Sequence, residues 1–345
     1  MRRILLWSFA ALILLAVAGG AAVRLSPWPA ALLIRHAFDQ EAERVSLALE
    51  KHLPPGISGQ FDLPYDPADA DARLDLFHPP AALSGGRAAP VVVWTHGGGW
   101  VSGSKAHVAN YARILAGRGY AVAAIDYSIA PGKAYPVPVR QLNAALGYLA
   151  GNARALHLDA SRMVLAGDSA GAHVSAQVAN VIASPAYASA LGIAPAVDRR
   201  RIVGVLLYCG PYDTRNVNLD GAFGGFLRTV LWSYSGTRDF MRDPAFATAS
   251  VIDHVTGEFP PAFLSAGNAD PLQVQSAAFA DALAAKGVPV ERLFFPRNYA
   301  PALPHEYQFN LDTEAGKQAL ERSAAFLAQH MRVVPESSAR KPVRQ

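Results

Sequence analysis

Past residue 90 the chain settles into a repeating pattern: a short run of consecutive apolar residues, then a longer segment whose apolar residues recur every three to four positions. The runs fall at residues 91–95, 120–125, 162–166, 202–208, 262–266 and 290–295. Each is brief and rich in aliphatic or aromatic residues at successive positions, which predicts strands buried on both faces. The segments at 108–118, 139–156, 170–183, 272–286 and 313–331 predict helices, and in the second of them Leu142, Leu146 and Leu149 share one face. Strand alternating with helix predicts an α/β fold around a mostly parallel central sheet flanked by helices.

Upstream the period changes. Residues 61–65 and 73–77 alternate apolar with polar positions around a turn rich in Asp and Pro, predicting two strands at the edge of the sheet, and 79–90 reads as a loop. Residues 27–53 carry Leu32, Leu33, Ala37, Phe38, Val45, Leu47 and Leu49 among charges, an amphipathic helix closed by Pro54-Pro55-Gly56. Two stretches, 184–201 and 216–253, do not fit the alternation and are expected to be insertions over the sheet that form a cap with the N-terminal segment 27–60. The second holds Phe223, Phe226, Leu227, Leu231, Trp232 and Tyr234. Such residues ordinarily pack against one another; the wall of a substrate pocket is the alternative.

Met1-Arg2-Arg3 precedes a charge-free apolar run at 4–23, long enough to span a bilayer. Residues 1–26 are therefore expected to be an address: a signal peptide cleaved near Ala16-Val17-Ala18, or, as the length favours, an uncleaved anchor. The leading arginines favour a cytoplasmic N-terminus, so the remaining chain is expected to be exported or held at the inner membrane with its main domain outside the cytoplasm. The tail at 334–345 is expected to be disordered.

Composition narrows the classes. About half of the residues, 51%, are apolar, enough for a large core, and the formal charge of +4 is concentrated near the two ends. With no central basic stripe, nucleic acid is not an expected partner. The single cysteine, Cys209, has no internal disulfide partner and, inside an apolar stretch, reads as a buried small hydrophobe.

The chemistry centres on Gly167-Asp168-Ser169-Ala170-Gly171. It follows an apolar run and opens a small-residue helix, the setting in which a tight strand-to-helix turn exposes a serine hydroxyl to a base, with glycines two residues away on either side relieving the crowding. A strand-turn-helix corner without chemistry is the plainer alternative, so the chain must also supply an oxyanion site, an acid and a base. His96-Gly97-Gly98-Gly99-Trp100 follows the run at 91–95 and offers backbone N–H groups unobstructed by side chains. It is not a phosphate loop, because Ser104 precedes Lys105 where the reverse order is required. Asp270 follows the run at 262–266 and His305 follows the next, giving the chain order Ser169, Asp270, His305 of an α/β-hydrolase triad. Taken singly, an Asp before Pro is commonly a turn residue and a lone His is commonly structural; Asp213, His254 and His330 are the reserves. His305-Glu306 begins like a zinc-binding HExxH motif, but position 309 is Phe, so no metal and no cofactor is expected.

The glycine loop together with the Ser169 pentapeptide resembles the hormone-sensitive-lipase-like branch of the α/β-hydrolases, a family of carboxylic ester hydrolases, over residues 61–331. Asp126-Tyr127 followed by Ala130-Pro131 is similar to the family's Asp-Tyr-Arg-x-Ala-Pro segment, with Ser128 in place of the Arg. The resemblance implies an α/β-hydrolase domain over 61–333, a serine carboxylesterase with the triad Ser169, Asp270 and His305, and an oxyanion hole on the N–H groups of Gly98, Gly99 and Ala170. It makes His96 structural. The partner it implies is a small-molecule ester. An amidase or peptidase with the same triad is the first alternative and a non-catalytic ligand-binding relative the second, against which the three retained triad residues argue.

Overall fold

The computed structural model describes residues 7–9, 14, 19–83, 88–221 and 223–331. Among the described residues eight strands form one sheet: β1 (Ser58–Pro64), β2 (Arg73–His78), β3 (Ala89–Thr95), β4 (Ala121–Ile125), β5 (Leu158–Asp168), β6 (Ile202–Tyr208), β7 (Ala262–Ala266) and β8 (Val290–Phe294). Their spatial order is β1-β2-β4-β3-β5-β6-β7-β8. β2 runs antiparallel to both β1 and β4, and every pair from β4 through β3 to β8 is parallel. Parallel strands need crossovers, and helices supply them: α2 (Lys105–Ala116), α3 (Val137–Gly151), α4 (Ser169–Ala183), α5 (Pro185–Leu191), α6 (Gly224–Ser235) and α7 (Gln273–Ala285), while α1 (Trp28–Ala48) precedes the sheet and α8 (Glu314–His330) follows its last strand.

The alternation of β3 sorts the core into two halves. Val91 and Val93 face the side covered by α3, α4 and α7, with Leu142, Leu146, Val174, Val178 and Phe279. Val92 and Trp94 face the side covered by α2 and α8, with Val108, Tyr111, Leu115, Leu320 and Phe326. β5 begins at Leu158, four residues earlier than its apolar run. Asp159, Ser161 and Arg162 hide that start, but backbone pairing of Ala89 with Leu158 and Pro90 with Asp159 creates it before a register shift at Val91.

α1 contributes Ala31 to one core half, and Leu49, just past its end, lies in the other, so the helix crosses the carboxyl edge of the sheet. There Arg35 donates from Nε to the Val101 carbonyl at 2.7 Å and from Nη2 to the Ala130 carbonyl at 3.0 Å. α6 packs beside it, with Phe38 and Phe226 ring centroids 5.6 Å apart. Segment 184–201, expected over the sheet as part of the cap, packs instead along the helices. Arg140 of α3 donates to the carbonyls of Leu191 and Gly192, Asn143 of α3 bonds Ala194 and Ala196, and Gln177 of α4 reaches Tyr187. These polar anchors on α3 draw the segment away from the carboxyl edge.

Among the described residues no helix is long and apolar enough to cross a membrane. Most of the apolar run at 4–23, and the whole tail at 334–345, lie outside the described residues.

Candidate active site

Ser169 sits where β5 ends and α4 begins, with its backbone at φ +50°. A left-handed serine costs roughly 1–2 kcal/mol, a strain that persists only when its surroundings enforce it. The flanking glycines show how. A Cβ on Gly167 would lie 2.6 Å from the Gly171 backbone, and one on Gly171 would strike the carbonyls of Thr95 and His96. The turn can therefore close only with glycine at both positions. The result projects Ser169 Oγ toward the loops at the carboxyl edge.

Two of those loops are sewn together. Asn268 accepts from the Leu303 N–H at 2.8 Å and donates to the Tyr299 carbonyl at 3.0 Å, while the Ala269 N–H donates to the Leu303 carbonyl. This brings Asp270, after β7, against His305, after β8. Asp270 Oδ1 accepts from the Leu272 N–H at 2.8 Å and Oδ2 meets His305 Nδ1 at 2.9 Å; on the other side of the ring, Nε2 lies 3.0 Å from Ser169 Oγ. The Asp270 side chain is fully buried, whereas that of His305 is 35% exposed, open enough to meet a substrate.

Burial disfavours a protonated His305, but Cys209, Asp270 and Glu306 act the other way and hold its pKa well above the ordinary histidine value. The Cys209 thiol is itself pushed by burial to about 11, so at neutral pH it carries no charge and the carboxylates are the groups that act. Cys209 is buried, as its sequence setting suggests, but it is not remote: its sulfur, an Asp270 oxygen and a His305 nitrogen lie within 4.8 Å of one another.

The glycine loop follows β3 on the same edge. Among the described residues the N–H groups of Gly98 and Gly99 make no internal hydrogen bond, and Ala170 lies in the first turn of α4, where helix N–H groups are free. The loop is held from several sides. Ser102 Oγ and the Gly103 N–H both donate to Asp39 Oδ1 of α1, at 2.6 and 3.1 Å. His96 is buried, stacks on Tyr127 at 4.3 Å, and pairs its Nδ1 with the Gly97 carbonyl at 2.8 Å. Burial lowers its pKa to about 4, so it is a neutral strut and not a base.

Above Gly99 the space is apolar. Val230 Cγ1, Phe226 Cζ and Phe38 Cε2 come within 3.6 to 3.8 Å of where a Cβ on that glycine would stand. Two open hollows of about 370 and 630 Å³ lie elsewhere, around Ile182 at the far end of α4, and neither includes Ser169, Asp270 or His305.

Among the described residues, none of the reserves is hydrogen-bonded to Ser169, Asp270 or His305. Asp213 Oδ1 accepts from the N–H groups of Arg215 and Asn216 in its own turn, His254 lies against Tyr187, and His330 lies against Phe326. Two residues that the motif reading did not single out do belong. Asp168 is buried beneath the loop, where Trp94 Nε1 donates to its Oδ1 at 2.7 Å, and Glu306 Oε1 lies 3.6 Å from His305 Nε2. Their only signal in the sequence is adjacency, one just before Ser169 and the other just after His305.

A family model described as BD-FAE matches residues 74–283, more than half of the chain. The chain belongs to the BD-FAE family. Among known esterases, Carboxylesterase NlhH of Mycobacterium tuberculosis is 30% identical over 280 residues, covering 74% of this chain and 78% of that protein. Esterase LipI of the same organism is 29% identical over 237 residues, covering 67% of this chain and 70% of that one. Esterase B from Lactobacillus rhamnosis, solved with an inhibitor, superposes with a TM-score of 0.74 at 24% identity, over 88% of this chain and 98% of that one, a likeness of fold. The BD-FAE match includes the glycine loop, Ser169 and Asp270 and ends before His305. At Ser128, where the resemblance leads one to expect Arg, the hydroxyl donates to Asp71 Oδ2 at 2.7 Å and its N–H donates to Gln141 at 2.8 Å.

Proposed function

We propose that this BD-FAE protein hydrolyses carboxylic esters through an acyl-enzyme on Ser169. The observation that carries the reading is the unbroken series of contacts from Asp270 through His305 to Ser169, with unengaged N–H groups one loop away. Neutral His305 takes the Ser169 proton on Nε2 as Oγ attacks the ester carbonyl, and Asp270 fixes the imidazole tautomer and stabilises its charged form. The carbonyl oxygen, now negative, is received by the N–H groups of Gly98, Gly99 and Ala170. Losing one such donor costs about 3 to 4 kcal/mol of transition-state stabilisation. His305 then gives its proton to the departing alcohol, and water repeats the cycle on the acyl group.

Phe38, Phe226 and Val230 favour an apolar acyl or alcohol group beside the glycine loop. Initial rates on a chain-length series of p-nitrophenyl esters, beside matched anilides, test the proposal. Esters are expected to turn over with an initial burst and anilides far more slowly; anilide rates matching or exceeding the ester rates would reassign the protein to amides, and no turnover of any ester would end the proposal. From Arg2, Arg3 and the run at 4–23, we also propose that the domain works outside the cytoplasm. Recovery of the activity solely from the soluble cytoplasmic fraction of an expressing cell would contradict that.

A further inference from the structure

Beneath the glycine loop lies a pair of carboxyl groups that the triad does not use. Asp168 Oδ2 and Glu306 Oε1 both crowd the point where a Cβ on Gly97 would stand, Glu306 at 2.8 Å, so the two carboxyl groups face one another across that glycine. Asp168 is 2% exposed and its other oxygen is occupied by the Trp94 indole. Glu306 reaches the pair only because its backbone is left-handed, φ +58° and ψ +30°, a conformation that a residue with a Cβ disfavours. That turn folds the side chain back under the preceding residue, leaving Oε1 3.6 Å from His305 Nε2.

The two edges of the His305 ring thus meet different acids. Nδ1 is bound by Asp270, while Nε2, the nitrogen that carries the travelling proton, has Ser169 Oγ as its partner and Glu306 as its neighbour. Building on the assignment of His305 as the base, we propose that Glu306 is a positioning residue, held in place by Asp168, whose carboxylate stabilises the imidazolium from its Nε2 side. In the clamp the Asp168 hydroxyl donates to Glu306 while Asp168 Oδ1 accepts from Trp94, and the Gly97 N–H also faces this carboxyl group. Burial first, and then the Glu306 charge, keeps the proton on Asp168. The glycine at position 97 has its reason here: any side chain would displace the clamp. The other groups facing the ring are Asp270 and the Cys209 thiol, both unchanged in the test below.

The test is the pH dependence of kcat/KM on one aryl ester, from pH 5 to 9, for the wild type, Glu306→Gln, Asp168→Asn and Asp168→Ala. Wild-type activity falls as the pH drops through the His305 pKa, which gives an acid limb above 6.5. Glu306→Gln keeps the shape and removes the charge, so its acid limb is expected to move down by roughly half to one pH unit with KM little changed. Asp168→Asn supplies the same donor and acceptor as a protonated Asp and is expected to keep the wild-type limb, while Asp168→Ala releases Glu306 and shifts it. An unmoved limb in Glu306→Gln overturns the proposal, as does a limb in Asp168→Asn that has moved as far as in Asp168→Ala. Reaction of the wild type with a fluorophosphonate separates the two levels. If the wild type fails to react, the assignment of Ser169 and His305 falls; if it reacts and the limb does not move, only the role of Glu306 does.

Discussion

The floor of the site and its roof are built on different physics. The floor consists of Ser169, the glycine loop, Asp270 and His305 at the carboxyl edge of the sheet, and it is shaped by backbone: a left-handed serine, close-packed glycines and N–H groups without partners. The roof consists of α1 and α6, which meet the floor through apolar side chains such as Phe38, Phe226 and Val230. A backbone-built floor tolerates almost no change, because the same atoms set both the turn and the chemistry. A side-chain roof can vary in shape while the reaction stays the same. Rate should therefore be lost on the floor and selectivity altered in the roof.

The sharpest break falls on the floor. Ser169→Ala is expected to lower kcat/KM by about 10⁴- to 10⁶-fold, and Asp270→Asn by about 10⁴-fold, with circular dichroism unchanged in both. A Ser169→Ala rate within tenfold of wild type would remove the nucleophile from the account. Gly98→Ala comes next. At φ +102° its Cβ would strike the Ser102 carbonyl, so the loop must shift and kcat is expected to drop by about 10²- to 10³-fold. Retention of the wild-type kcat would separate the loop from catalysis.

At the seam between the two regions stands His173, one turn along α4 from Ser169. Its ring lies against Trp100 of the loop and Tyr234 of α6, and its Nε2 meets the Ala249 carbonyl at 2.7 Å. Burial lowers its pKa from 6.5 to about 4, so the unfolded chain takes up the proton more readily than the folded one. The sign follows from linkage: the folded state is favoured above pH 6.5, and that stability is lost as the pH falls toward 4, by up to about 3 kcal/mol. Urea midpoints at pH 7.5 and 4.5 should therefore converge in His173→Gln relative to wild type. An equal drop in both proteins would exclude His173 as the source.

The mildest effect belongs to the roof. Phe226→Ala is expected to lower kcat/KM about tenfold for esters with long apolar acyl chains and to leave acetyl esters within about twofold. Equal losses on both would place Phe226 with the floor.

The same division explains what could be read from the chain. All eight strands were foreshadowed by apolar runs or alternation, and Ser169, Asp270 and His305 could be found because a parallel sheet delivers the loop after each strand to one edge. The roof was less legible. Segments 184–201 and 216–253 look alike as interruptions, yet the first is drawn to α3 by Arg140 and Asn143 while the second carries α6 to the glycine loop. Nothing in local periodicity separates them, because the choice is made by tertiary hydrogen bonds. Asp168 and Glu306 were hidden for a related reason. Each stands beside a stronger motif residue, and their pairing depends on a backbone reversal at Glu306 that no pattern of hydrophobicity records.

Ser169 alone is expected to carry the acyl group. Wild-type protein and Ser169→Ala, each treated with a fluorophosphonate probe and mapped by peptide mass spectrometry, test it most directly. One adduct is expected in the wild type, on the peptide containing Ser169, with ester hydrolysis abolished in step with labelling, and no adduct in the variant. A wild type that stays unlabelled while a control esterase reacts, or an adduct that persists in Ser169→Ala, would contradict it.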